Sequence, residues 1–481
     1  MFSIAVRLIW INQPYIDNWS WRQSDVAAIA RNFYTKGFHF DRPQIDWAGD
    51  QPGYVGTEFP VLPFLIAVCY KFCGVHDWMG RAESVILFAF SLPFFFRLIR
   101  DVFGELPAIW ALFFYSFAPL GIFTSRAFMP DMPSLSLAII GLYFFIRWIE
   151  SEPNWQLRSA SFFASAACIS LSILIKAPSA IIGAPLACLA WQKWRWRSFL
   201  LPKLWLFAAI SLLPAAIWYW HAHEIALKFY PHHFFGAGGI RMMNLSWYWR
   251  IAREITNSSL TPILVALALL GLVTARALPR VVRTAAFLYW WLGAMILSII
   301  VMGYGNRHQW YQLPLVPIAA TFAGAFCGLF AEKIPVRWVK AGLSLLLAVF
   351  FAISAFVSVK PIYRSRASAG LRDLGLALKA NTPSDSLIVA ADNGDPTVFY
   401  YAERTGWHIP EKDGIYDGEP KPSEQAIGDL ESLRQRGADY FVFNWTTMWW
   451  LDYYKGFAEY LETNATLVQA TPEFKIYRLN R

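Results

Sequence analysis

The chain has 481 residues, of which 56% are hydrophobic, 17% aromatic and only 16% charged. A soluble chain carries roughly a quarter charged residues, so much of this one has no water to face. The net charge of +9 does not mark a nucleic-acid binder, because most basic residues sit in short loops between apolar runs, the positive-inside pattern of membrane proteins.

The chain opens on Met1 to Trp10, too short to span a bilayer alone. The expectation is that it continues into the following residues or that the start is truncated. "IDNWSWRQSDVAAIARNF" follows and places Asp17, Arg22, Asp25 and Arg31 among tryptophans and small residues. A polar stretch rich in Asp, Gly and Pro runs to Pro60. Then "VLPFLIAVCYKFCG" is apolar for only 14 residues, a length that suits an interfacial or re-entrant helix. Apolar runs at about 82–99, 105–123, 132–149, 159–175, 179–192, 199–219, 260–275, 284–303, 311–330 and 338–359 read as spans. With the first helix they make about eleven.

Every second loop is basic: Arg97 and Arg100; Arg147 and Arg158; Lys193, Arg195 and Arg197; Arg276, Arg280 and Arg283; Lys333, Arg337 and Lys340. These loops face the cytoplasm. The first loop, the alternate loops and the C-terminal tail then lie outside a cell (inner) membrane crossed many times. From about Lys360 charge rises and the runs shorten. "SAGLRDLGLALKAN" and "SEQAIGDLESLRQRG" predict helices, and "DSLIVAADNG" and "ADYFVFNW" predict buried strands. The organisation expected is a transmembrane domain over 1–359, with an outer loop at 13–60, and an extracytoplasmic α/β domain over 360–481. The five cysteines show no metal or redox spacing and read as small packing residues.

The outer loops hold few ionisable groups, but these crowd the span ends: Arg126 and Asp131 in "TSRAFMPDMP", Lys176 in "LIKAP", Arg307 and His308 in "GYGNRHQWYQLP". Cations on the outer face run against the positive-inside trend and point to an anionic ligand. Snorkelling or helix capping is the plainer reading for any one of them. A carboxylate at a dry boundary can act as a general base, and cations can clamp a phosphate leaving group. Aromatic side chains such as Tyr311 suit sugar rings. Together these describe transfer from a lipid phosphate to a hydroxyl. An outer loop at about 220–259 holds His221, His223, His232 and His233, whose spacing could hold a divalent metal ion, although interfacial packing is the more ordinary reading.

Four stretches resemble the C-type-fold membrane glycosyltransferases of the protein O-mannosyltransferase and aminoarabinose transferase superfamily. They are "TEFPVLPFLIAVCYKFCG", "SRAFMPDMPSLSLAIIGLYFF", "LIKAPSAIIGAPLACLAW" (with Ala177 where the family usually has Gly) and "NRHQWYQLPLVPIAATFAG". The resemblance covers about 20–330. It implies a polyprenyl-phosphate sugar donor, a lipid, glycan or protein acceptor, and transfer on the outer face with inversion. It also implies an Asp of the first outer loop as the base, for which Asp17 and Asp25 both qualify. Asp17, at the mouth of the first span with Arg22 five residues on, is preferred, and the other would serve as a helix N-cap. Glu58 stands where the family has an acidic residue or His near the donor phosphate, but Phe59 replaces the Lys common in the aminoarabinose branch. Arg126, Lys176 and Arg307 are then the expected phosphate partners, with Asp131 on a sugar hydroxyl, on a cation or in a salt bridge to Arg126. The competing readings are a lipid-linked oligosaccharide flippase, a polymerase or ligase of the O-antigen type, and a non-catalytic scaffold. The spans carry little mid-membrane charge and no internal repeat, which favours an enzyme.

Overall fold

A computed structural model describes residues 1–151, 155–234, 239–276, 284–412, 415–418 and 422–480. The chain divides into two compact units. The first comprises Met1–Ile11, Arg81–Trp218 and Gly236–Pro361; the second comprises Asn12–Gly80, Tyr219–Phe235 and Ile362–Arg481.

The first unit is helical and apolar. Among the described residues five helices are long and apolar enough to cross a membrane: Trp78–Phe103, Asp131–Glu150, Pro202–Lys228, Leu315–Glu332 and the one beginning at Arg337. A sixth span results if Leu245–Leu260 and Pro262–Ala275, bent by 102°, count as one. Shorter apolar helices include Glu105–Phe117, Ser159–Ile175 and Ala286–Val301. The multi-span expectation holds, whereas the count of about eleven goes beyond these five or six.

Two expected segments are built differently. The run at 105–123 is two helices, Glu105–Phe117 and Pro119–Thr124, broken at Ala118. Pro119 brings no N–H and forces the residue before it out of helical geometry, and Ala118 is extended. The supposed loop at 220–259 is largely helical, since one helix continues to Lys228 and another covers Leu245–Glu254. Asn244 caps the latter by accepting from the Trp247 N–H. In Leu315–Glu332, Gly324 and Gly328 repeat at four residues. A Cβ on Gly324 would lie 2.5 Å from the Ala111 backbone nitrogen, and one on Gly328 2.5 Å from Pro107. Small residues at this spacing let membrane helices approach closely, where dispersion rather than the hydrophobic effect binds them.

The second unit is built on a mixed sheet. Its strands are β1 (Leu387–Ala391), β2 (Thr405–His408), the hairpin β3 (Glu411–Lys412) and β4 (Ile415–Tyr416), β5 (Tyr440–Asn444), β6 (Ala465–Ala470) and β7 (Phe474–Leu479). The five-stranded order is β2-β1-β5-β7-β6, with β1 parallel to β2 and β5, and β7 antiparallel to β5 and β6. The predicted strands at 387–391 and 440–444 and helices at Arg366–Asn381 and Ser423–Gln435 are present.

Alternation along β1 sends Ile388 and Ala390 to one face and Val389 and Ala391 to the other. On the first face the core includes Ile29, Phe33, Ile45, Trp47 and Val55, so residues 12–80 fold as a layer of this unit. The loop at 46–49 is stitched to the edge of β2: Gly49 N–H donates to the Gly406 carbonyl at 2.7 Å and Gly406 N–H to the Asp46 carbonyl at 3.1 Å. Gly49 has φ +60°, and a Cβ there would lie 1.8 Å from the Trp407 indole. Gly49→Ala is therefore expected to destabilise this unit by about 2 kcal/mol or more, seen as a lowered thermal midpoint of the purified protein.

Candidate active site

Asp17 lies just ahead of the helix Ser20–Lys36. Its carboxylate accepts from the Trp19 N–H at 3.0 Å and from the Gln23 side-chain amide at 2.8 and 2.9 Å. The N-terminal end of a helix favours negative charge beside it. The N-cap is Trp19, not either aspartate, and Asp25 lies inside the helix. Asp25 instead accepts from the Trp47 indole N–H at 2.9 Å.

Arg22 and Glu58 form an ion pair at 2.6 Å, with both side chains buried. Thr57 donates to the second Glu58 oxygen at 3.1 Å. His233 belongs to the same unit, its ring edge-on to Trp47. Burial, helped by the Arg22 charge, lowers its pKa to about 4, so the imidazole is neutral at pH 7. Of the other loop histidines, His221 meets the Asp41 carbonyl, His232 the Ala226 carbonyl and His223 the Phe234 ring. Among the described residues no group of three or more His, Cys, Asp or Glu side chains could hold a metal ion.

The sequence reading missed the groups around Asp25. His408, at the end of β2, meets both Asp392 oxygens at 2.8 and 2.9 Å, and its ring packs against Trp47. Burial works against the charge on His408, but the Asp392 carboxylate, with Asp25 and Asp395 behind it, raises its pKa. Burial pushes Asp25 up to about 7 and Asp395 to about 6. A carboxyl whose folded pKa is raised contributes stability that is present below its unfolded value of about 4 and lost as pH rises through about 7. The loss is up to about 4 kcal/mol for a three-unit shift. Asp25→Asn keeps an acceptor for Trp47 and cannot ionise. Its thermal midpoint is expected to gain on that of the wild type between pH 5 and pH 8; a gap that stays constant contradicts the shift.

The other candidates lie in the helical unit. Asp131 is the first residue of the helix Asp131–Glu150 and pairs with Lys176 at 3.4 Å, both side chains buried. Arg126, the other cation weighed for Asp131 from the sequence, is buried and donates to the Trp10 carbonyl at 2.7 Å. The Lys176 ammonium also lies 4.7 Å from the Tyr311 ring centre. A small pocket of about 30 Å³ is lined by Asp131, Lys176, Ser179, Trp310 and Tyr311. His308 stacks on Trp310 at 4.4 Å, whereas Arg307 is exposed and covers Tyr304. The turn Ala177–Ile182 lines two cavities. Pro178, Ser179 and Ile181 face the polar pocket, while Ala180 and Ile182 face an apolar cavity of about 410 Å³ that reaches Phe207 and Trp290. A charged pocket with room for about one water and a larger apolar cavity thus share one turn.

Residues 50–220 match the dolichyl-phosphate-mannose-protein mannosyltransferase family. The chain superimposes on the crystal structure of ArnT from Cupriavidus metallidurans bound to undecaprenyl phosphate. That match has a TM-score of 0.70 at 13% identity and covers 99% of this chain and 96% of that one. It is also similar to the Archaeoglobus fulgidus oligosaccharyltransferase tethered to an acceptor peptide with the NVT sequon (TM-score 0.65, 12% identity, 100% and 73% covered). The oligosaccharyltransferase AglB of that archaeon, in complex with an inhibitory peptide and a dolichol-phosphate, matches at TM-score 0.59 and 12% identity, with 100% and 74% covered. No curated protein sequence matches the chain.

Proposed function

We propose that this chain is a membrane glycosyltransferase that takes a polyprenyl-phosphate sugar donor and moves the sugar to an acceptor hydroxyl with inversion on the outer face of the membrane, a reading supported by the family match over residues 50–220 and by the shared fold. The observation that carries the donor assignment is the shared turn. Lys176 and Tyr311 receive the phosphate and first sugar, and the apolar cavity beyond Ala180 and Ile182 receives isoprenoid. The 3.4 Å between Lys176 and Asp131 is longer than the 2.7–2.9 Å of a tight charge-assisted bond, so an incoming phosphate can compete for the ammonium. Asp131 then turns to a sugar hydroxyl. Arg126, Arg307 and His308 add to the positive field or stacking on the donor side, and the Arg22–Glu58 pair offers a donor and an acceptor to substrate oxygens.

Asp17 is the base. Its carboxylate takes the proton of the acceptor hydroxyl as that oxygen attacks the anomeric carbon opposite the phosphate. The bond from that carbon to the phosphate oxygen breaks, and its electron pair leaves with the polyprenyl phosphate. Asp25 is less suited, because burial favours its protonated form.

The test is turnover of a panel of polyprenyl-phosphate sugars by purified protein in nanodiscs. Consumption of one donor, with release of polyprenyl phosphate, is expected. Binding of donors with no bond cleavage, with or without acceptor, contradicts the reading and favours transport.

A further inference from the structure

We infer that Ser368, with the backbone of residues 362–365, is a positioning element for Asp17, so that the C-terminal α/β fold is part of the catalytic machinery. The inference rests on Asp17 being the base. Three consecutive residues at that aspartate each give one backbone group to the segment 362–368. The Ile16 carbonyl accepts from the Ser365 N–H at 2.7 Å, and the Asn18 N–H donates to the Ile362 carbonyl at 3.0 Å. The Asp17 carbonyl accepts from the Ser368 hydroxyl at 3.0 Å.

The Ser368 hydroxyl is buried and has a second task. It accepts from the Ser20 hydroxyl at 2.8 Å, which leaves its own proton for Asp17. Ser20 is the first residue of the helix that carries Gln23, and the Gln23 amide grips the Asp17 carboxylate. One hydroxyl thus ties the backbone of the base to the helix that aims its side chain. Orientation is a large part of catalysis, and an error of about 1 Å can cost about a hundredfold in rate. The link joins residues 351 positions apart, so no local pattern in the sequence could announce it.

The test compares variants in nanodiscs with the polyprenyl-phosphate sugar that the panel identifies. Ser368→Ala is expected to lower kcat about tenfold, to leave the donor KM within twofold, and to keep the pH midpoint of the rate. Ser368→Thr, which retains the hydroxyl, recovers most of kcat. Thr382→Ala serves as the structural control. It removes a buried hydroxyl that donates to the Leu378 carbonyl at the far end of the helix Arg366–Asn381, and it lowers the thermal midpoint with kcat near wild type. If Ser368→Ala keeps kcat within twofold while Asp17→Asn abolishes it, the positioning role is wrong and the base assignment stands. Equal losses of kcat in Ser368→Ala and Thr382→Ala, tracking their thermal midpoints, also overturn the role. If Asp17→Asn turns over normally, the base assignment fails and this inference with it.

Discussion

Asp17→Asn is expected to lower kcat about a thousandfold with a donor KM within about threefold of wild type. A positioned general base contributes about 10²–10⁴ in rate, and the loss is confined to the step in which the proton moves. The substitution is nearly isosteric and keeps an oxygen for the Trp19 N–H, so the protein remains folded. Asp25→Asn is the contrast. Asp25 is held by Trp47 inside the helix, so its replacement is expected to change kcat by less than about tenfold and to act on the pH dependence of stability. Single-turnover assays of both variants on one donor separate the two aspartates. A thousandfold loss in Asp25→Asn with Asp17→Asn active would reverse their roles.

The second large effect is at Lys176. Lys176→Met is expected to weaken donor binding about a hundredfold, equivalent to about 3 kcal/mol, within the 2–5 kcal/mol that truncating one side of a buried charge pair costs. The ammonium is buried beside Asp131 and Tyr311, where water screens it little. Arg307→Met removes an exposed cation and is expected to cost less than about fivefold, in line with the small value of screened surface charges. Equilibrium binding of a polyprenyl-phosphate sugar to the two variants in nanodiscs gives both numbers. Equal losses contradict a built phosphate site at Lys176.

Local patterns made much of this legible. Long apolar runs gave the membrane class, short buried apolar runs ending in turns gave β1 and β5, and helical periodicity gave the helices at Arg366–Asn381 and Ser423–Gln435. The crowding of charge at the first loop and at Asp131, Lys176 and Arg307 was visible as composition out of place for a membrane boundary. Partners were not legible. Asp131 meets Lys176 across 45 positions, and His408 meets Asp392 across a parallel strand pair. Periodicity reports which face of an element is buried, not which distant side chain it meets. Gln23 was within reach of inspection, because a side-chain amide one turn into a helix can fold back on a carboxylate that precedes it. The break at Ala118 had its signal in Pro119, outweighed by the apolar run on both sides.

The measurement that bears most directly on the account is the anomeric configuration of the product. Purified protein would be given a polyprenyl-phosphate sugar of one defined anomer and a hydroxyl acceptor, and the product read by NMR. Direct displacement with Asp17 as base predicts a single product of inverted configuration and one polyprenyl phosphate released per transfer. A retained configuration, or donor that is bound and never cleaved, contradicts it.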